Sequence, residues 1–152
     1  MNGRRLHVWL ALAPFLLVLV LAVRDFGTAF FDRRKLDNAA FEATKWGRAY
    51  GYDAAKVAEV ARAATKLTGI AVSPLRPCGC STGGAILQAE CNAACPGGGF
   101  SQPYIVVTTA MCYRPTLSWP AISYCSEADS ECVAAGCSST QILLSAQSVT
   151  LQ

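Results

Sequence analysis

Histidine is almost absent from this chain: its 152 residues hold one, His7, and that one sits inside a long apolar run. No Ser-His-Asp or Cys-His arrangement can therefore form in the rest of the sequence, and mixed cysteine–histidine zinc sites are excluded with it. A C-x-x-C pair is missing too. The eight cysteines are Cys78, Cys80, Cys91, Cys95, Cys112, Cys125, Cys132 and Cys137. Their spacings, Cys78-x-Cys80, Cys91-x3-Cys95 and Cys132-x4-Cys137, argue against a redox-active dithiol and disfavour a four-cysteine zinc site. No glycine-rich phosphate loop follows a strand, because Gly97-Gly98-Gly99 comes after Cys95-Pro96 and reads as a turn. Glu127, Asp129 and Glu131 are clustered but lack the fuller signature of a calcium loop, and read as a solvated acidic turn. Arg33-Arg34-Lys35 lies between Asp32 and Asp37, which marks a solvated helix face rather than a nucleic-acid or headgroup patch. Together these absences point away from an enzyme, a cofactor, a metal site or nucleic-acid binding.

What the chain does have is apolar residues, 53% of the total, with a mean hydropathy of +0.32. Much of this excess sits near the start. From Leu6 to Val23 only His7 and Pro14 are not plainly apolar. Eighteen residues at about 1.5 Å each span roughly 27 Å, close to the ~30 Å hydrocarbon core of a bilayer. A cleaved signal peptide would also begin with Arg4 and Arg5. Its apolar core is usually about 7–15 residues and ends in an A-x-A-like site, whereas this run is longer and leads straight into Arg24-Asp25-Phe26-Gly27. A buried soluble helix would not be apolar all round. The run therefore reads as a transmembrane helix.

Basic residues flank it on both sides: Arg4 and Arg5 before, and Arg24, Arg33, Arg34 and Lys35 after, partly offset by Asp25 and Asp32. The positive-inside rule does not decide the orientation; cysteine does. An even number of cysteines crowded into a short segment suggests a disulfide framework formed in an oxidising compartment, which puts the C-terminal part outside the cytoplasm. The connectivity stays open, since eight cysteines allow 105 pairings.

Beyond the anchor the helical pattern continues. Phe26, Ala29, Phe30, Leu36, Ala39, Ala40, Ala43, Trp46 and Tyr50 form one stripe, with most charges off it. Pro14 is a candidate kink, and Gly47 and Gly51 are the expected end of the helix. A second helix is expected from Asp53, a good N-cap, to Leu67, with Val57, Val60, Ala61 and Ala64 on one face and Gly69 at C′. From Ile70 onward two arginines face four carboxylates, a net charge of −2. There Pro74, Pro77, Gly79, Gly83, Gly84, Pro96 and Gly97–Gly99 are expected to break the chain into turns. Tyr104–Cys112 and Gln141–Gln152 read as strands. The predicted architecture is α+β: a short cytoplasmic N-terminus over 1–5, a transmembrane helix over 6–24, a helical region over 25–69, and a small disulfide-stapled β-rich domain over 70–152.

This ordered set resembles the TadE-like pseudopilins of the tight-adherence (Tad) type IV pilus machinery. In that family a greasy run with an early proline leads to an acidic-Phe-Gly element and then a helix with an Asn-Ala-Ala step. Pro14, Asp25-Phe26-Gly27 and Asn38-Ala39-Ala40 correspond here. The second helix, Cys78-Gly79-Cys80, the Cys91/Cys95 pair, the strand running into Arg114-Pro115 and the closing strand fit as well. One departure stands at the start. Gly3 is the only glycine before the run, hence the only candidate prepilin processing site, and the fifth residue after it is Val8 where the family carries a glutamate. The resemblance implies a non-enzymatic minor pseudopilin that helps initiate or cap a pilus, anchored in the bacterial inner membrane with its C-terminal domain outside. Its partners would be the lipid bilayer, other pilins or pseudopilins, and the assembly platform. The alternative is a membrane-anchored extracytoplasmic binding or adhesion module that never enters a filament.

Overall fold

The structure is a computed structural model. It describes the backbone of residues 3–82, 85–120 and 122–151, and side chains from Leu12 onward except those at 82 and 85. The turn expected at Gly83-Gly84 and the closing Gln152 lie outside the described residues. Three helices and five strands follow in the order α1 (Gly3–Tyr50), α2 (Ala54–Thr65), β1 (Ala71–Leu75), β2 (Cys78–Thr82), β3 (Ala85–Ala89), β4 (Gln102–Tyr113), α3 (Ser130–Ala135) and β5 (Ile142–Leu151). All sheet pairings are antiparallel, and β4 is the central strand. On one side it pairs with β5 from Tyr104, opposite Leu151, to Tyr113, opposite Ile142. On the other it pairs with β1 and, at its start, with the β2–β3 hairpin. This is the α+β architecture the sequence predicts.

Helix α1 has 48 residues and passes through Pro14 as one helix. Its lower part, Leu12 to Val20, is exposed throughout, so none of the described residues covers this apolar segment. Its upper part carries the domain. Leu36, Ala39, Ala40 and Ala43 are fully buried, and Thr44 nearly so. Helix α2 folds back along α1 and buries Val57, Ala58 and Ala61. Ala43, Val57, Ala61, Ile105 and Val107 form the centre of the core, with Trp46, Tyr52, Val60 and Val72 packed around it. The larger of these aliphatic side chains each contribute about 1.5–3 kcal/mol by burial.

The strands run along the axis of α1. The Thr28 and Tyr113 hydroxyls meet at 2.6 Å, Thr109 donates to the Leu36 carbonyl at 3.1 Å, and Thr44 meets Ser148 at 2.9 Å. Strand β4 therefore descends the helix while β5 climbs it. Alternation then assigns the faces: Ile105, Val107 and Thr109 turn toward the helices, and Val106 and Thr108 turn away.

Several sequence expectations need correction. Gly47 does not end α1. It is buried inside the helix, and a Cβ there would come within 3.0 Å of Ile105 Cδ1 and 3.3 Å of Val57 Cγ2, so it is a close-approach site. Gly51, at φ +93°, follows the helix end. Helix α2 stops at Thr65, with Lys66 in the left-handed cap position, so Leu67 and Gly69 lie beyond it. Pro74 lies within β1 and Gly79 within β2 rather than in turns. The proline is tolerated because β1 is an edge strand, and its carbonyl accepts from the Tyr52 hydroxyl at 2.9 Å. Phe26, Phe30 and Tyr50, expected on the packed stripe, are 53%, 54% and 76% exposed. Asp129 caps α3, accepting from the Glu131 and Cys132 amides, so the acidic cluster is in part a helix start.

Gly79 is the tightest point of the hairpin. A Cβ there would meet Ile86 Cγ2 and the Leu87 carbonyl oxygen at 2.7 Å, and Tyr104 Cε1 at 2.9 Å. Because one of these neighbours is backbone, Gly79→Ala is expected to cost about 1–3 kcal/mol in chemical denaturation of the full chain. Wild-type stability for this variant would show that the hairpin is looser than the structure describes.

All eight cysteines are paired: Cys78–Cys91, Cys80–Cys95, Cys112–Cys137 and Cys125–Cys132. The bridges close segments of 13, 15, 25 and 7 residues. Each is expected to contribute about 2–4 kcal/mol, mainly by restricting the unfolded chain. Thiol alkylation of the denatured, unreduced protein should label almost no cysteine, and all eight after reduction. Labelling of all eight without reductant would exclude this framework.

Candidate functional site

Two features stand out as sites: the bare apolar length of α1, and a polar junction where that apolar length gives way to the folded domain. The junction is built on Asp25. Its neighbours one helical turn away, Leu21, Ala22, Thr28 and Ala29, include no basic residue, so the carboxylate has no local ion-pair partner. It finds distant donors instead. Asp25 is buried, with 3% of its surface exposed. It accepts from the Thr116 amide at 3.0 and 3.1 Å, the Leu117 amide at 3.2 Å and the Trp119 indole N–H at 3.1 Å. Tyr113 donates to the Asp25 carbonyl at 3.0 Å, and Trp119 stacks at a tilt on Phe26 with ring centroids 5.5 Å apart.

These contacts hold the otherwise irregular segment after β4 against the helix. Tyr124 closes it from within, its hydroxyl accepting from the Trp119 amide at 2.7 Å. Cys125, next in the chain, is bonded to Cys132, and its amide donates to the Gln141 carbonyl at 2.9 Å. Hydrogen bonds from Thr116 first, and from the Trp119 indole and the Leu117 amide, outweigh desolvation by burial. They hold the Asp25 carboxyl down at about 2.

The other residues singled out in the sequence lie elsewhere. Gly3 opens α1, while the side chains of His7 and Val8 fall outside those described. Arg33, Arg34 and Lys35 are exposed; Lys35 pairs with Asp32 at 2.8 Å, and the Arg34 guanidinium lies 5.2 Å from the Phe30 ring centre. Gly97–Gly99 is a turn, with the Gly98 amide donating to the Cys95 carbonyl. The cysteines do not form one cluster. Cys78–Cys91 and Cys80–Cys95 tie β2 to the loop before β4, whereas Cys112–Cys137 ties the far end of β4 to the segment after α3, and Cys125–Cys132 ties the segment before α3 to α3 itself. Among the described residues no group of three or more His, Cys, Asp or Glu side chains could hold a metal ion. An open groove of about 580 Å³ is lined mostly by alanine, serine and threonine together with Arg33, Asp37 and Glu131.

The role of Asp25 was not read from sequence, although a lone carboxylate directly after an apolar run and without a basic neighbour one turn away is a usable signal. Its protonation gives a test with a definite sign. The folded value, about 2, lies below the ordinary 3.8. The stability that Asp25 contributes is therefore fully present above about pH 4 and is lost as pH falls toward 2. Fluorescence of a variant keeping Trp119 as its only tryptophan should change in that window, and the change should vanish in Asp25→Asn, which should also be less stable at neutral pH. An identical acid transition in the Asn variant would assign it to another group.

A family model for Flp pilus-assembly TadE/G-like proteins matches residues 8–40, from within the apolar run to the Asn-Ala-Ala step. No curated protein and no solved structure gives a significant match. The matched segment lies on α1, the one described helix long and apolar enough to cross a membrane, and includes Asp25 and the start of its packed face. The match supports a TadE-like protein of the Tad pilus-assembly system, with one N-terminal apolar helix compatible with a single-pass anchor.

Proposed function

We propose that this chain is a non-enzymatic minor pseudopilin that helps to initiate or cap a Tad-type pilus. In this reading it is anchored in the inner membrane with its N-terminus inside and its disulfide-bonded domain outside. The observation that carries the reading is a stripe on α1. Leu12, Phe15, Leu19, Val23, Phe26 and Phe30 follow one another at three- and four-residue steps, and Phe41 continues the line above them. All are exposed, between 44% and 66%. Lipid can cover the lower members. Phe30 and Phe41 lie about 8 and 24 Å above Asp25 at helical rise, beyond the apolar run, where an exposed aromatic row suits another helix. The neighbours that fit are the N-terminal helices of other pilins and the membrane platform that assembles them.

The disulfide framework supports an oxidising location for the domain. The absence of a glutamate near the start supports a terminal rather than a repeating position. A subunit inside a stack has neighbours above and below, and a carboxylate buried between them needs a matching amine. Val8 offers apolar contact and no such pairing.

Deletion is expected to reduce or abolish piliation, while sheared filaments should contain far fewer copies of this protein than of the major pilin. Near-stoichiometric amounts along the shaft would overturn the terminal position. Normal piliation without the protein would favour the anchored binding or adhesion module instead.

A further inference from the structure

The segment between β4 and α3 occupies a special height. Asp25 directly follows the apolar run and holds the backbone of Thr116 and Leu117 and the indole of Trp119 within 3.2 Å. Because the strands run along α1, the end of the sheet that carries this segment is the end nearest the membrane exit. The loop presents Leu117, Trp119, Ile122 and Tyr124 half-buried, with Pro120 exposed and Arg114 exposed at its root. No acidic side chain lies between Tyr113 and Cys125. Aromatic rings with a polar edge, one basic residue and no carboxylate are what the interfacial zone of a bilayer accommodates. A free carboxylate at this depth would be expensive, and Asp25 is removed from that problem by its donors.

We infer that residues 114–120 and 122–124 form a membrane-surface foot: they rest in the headgroup region of the outer face of the bilayer and fix the standing height and rotation of the domain on its anchor. The occupant of this surface is lipid, because it is continuous with the lipid-covered length of α1. The inference rests on the anchor reading given above. A foot of this kind explains why the loop is tied to the helix backbone rather than left as a free connection. It also explains why Phe26, half-exposed, stacks on Trp119 instead of entering the core.

The chain has three tryptophans, Trp9, Trp46 and Trp119, at three different heights. Trp46 lies about 32 Å above Asp25 at helical rise. Three full-length proteins, each keeping one tryptophan and carrying phenylalanine at the other two positions, are reconstituted into vesicles whose acyl chains are brominated either near the headgroup or deep. Trp119 fluorescence should be quenched at least twofold more than that of Trp46, and more by the shallow bromines than by the deep ones. Trp9 reports the anchor itself. If Trp9 is quenched and Trp119 behaves like Trp46, the foot is wrong and the anchor stands. If Trp9 is not quenched, the anchor fails and the foot with it.

Discussion

The structure depends on how closely a sheet can approach one long helix. Over the upper part of α1 the side chains turned to the domain are Leu36, Ala39, Ala40, Ala43, Thr44 and Gly47. Except for leucine these are small, and the one polar side chain is satisfied by the Phe41 carbonyl and Ser148. Ile105 can sit against Gly47 only because no Cβ stands there. The close fit forces β4 and β5 to lie along the helix rather than across it. As a result no linker separates the domain from the apolar run: the rod in that run is the same rod that forms the core. The disulfides are correspondingly peripheral. They fasten loops at both ends of the sheet and leave the helix–sheet contact to packing.

The long, periodic elements were legible from sequence because their patterns extend over many residues. Helix α1, most of α2, β4 and β5 stand where apolar periodicity puts them. The three short strands and α3 were not legible. Strands β1 and β2 contain Pro74 and Gly79, which punctuate turns in most contexts; here the proline is admitted by an edge position and the glycine by the Tyr104 ring lying over it. Gly47 shows the same ambiguity within a helix. A glycine at C′ and a glycine at a helix–sheet contact look alike until the partner strand is known. The exposed phenylalanines of α1 were placed on the packed face because apolar periodicity cannot distinguish a face turned to this chain from one available to another.

Where charge is placed separates this chain from the pattern it resembles. Its first carboxylate is Asp25, well above the position at which the family carries its glutamate. That carboxylate is already matched, by two backbone amides and an indole of its own chain. A buried acid with three donors has little to gain from a neighbour's amine, and exposing it again would sacrifice charge-assisted hydrogen bonds. Under the pseudopilin reading, the electrostatic work near the membrane is thus internal to the subunit and spent on orienting the domain. Contacts between subunits would then rely on the apolar row from Leu12 to Phe41. Such a surface sets register through the shape of its aromatic side chains rather than through a single ion pair, and it allows a subunit to be joined on one side without leaving an unmatched charge on the other. That tolerance of a missing neighbour is the physical requirement for a subunit at the end of an assembly.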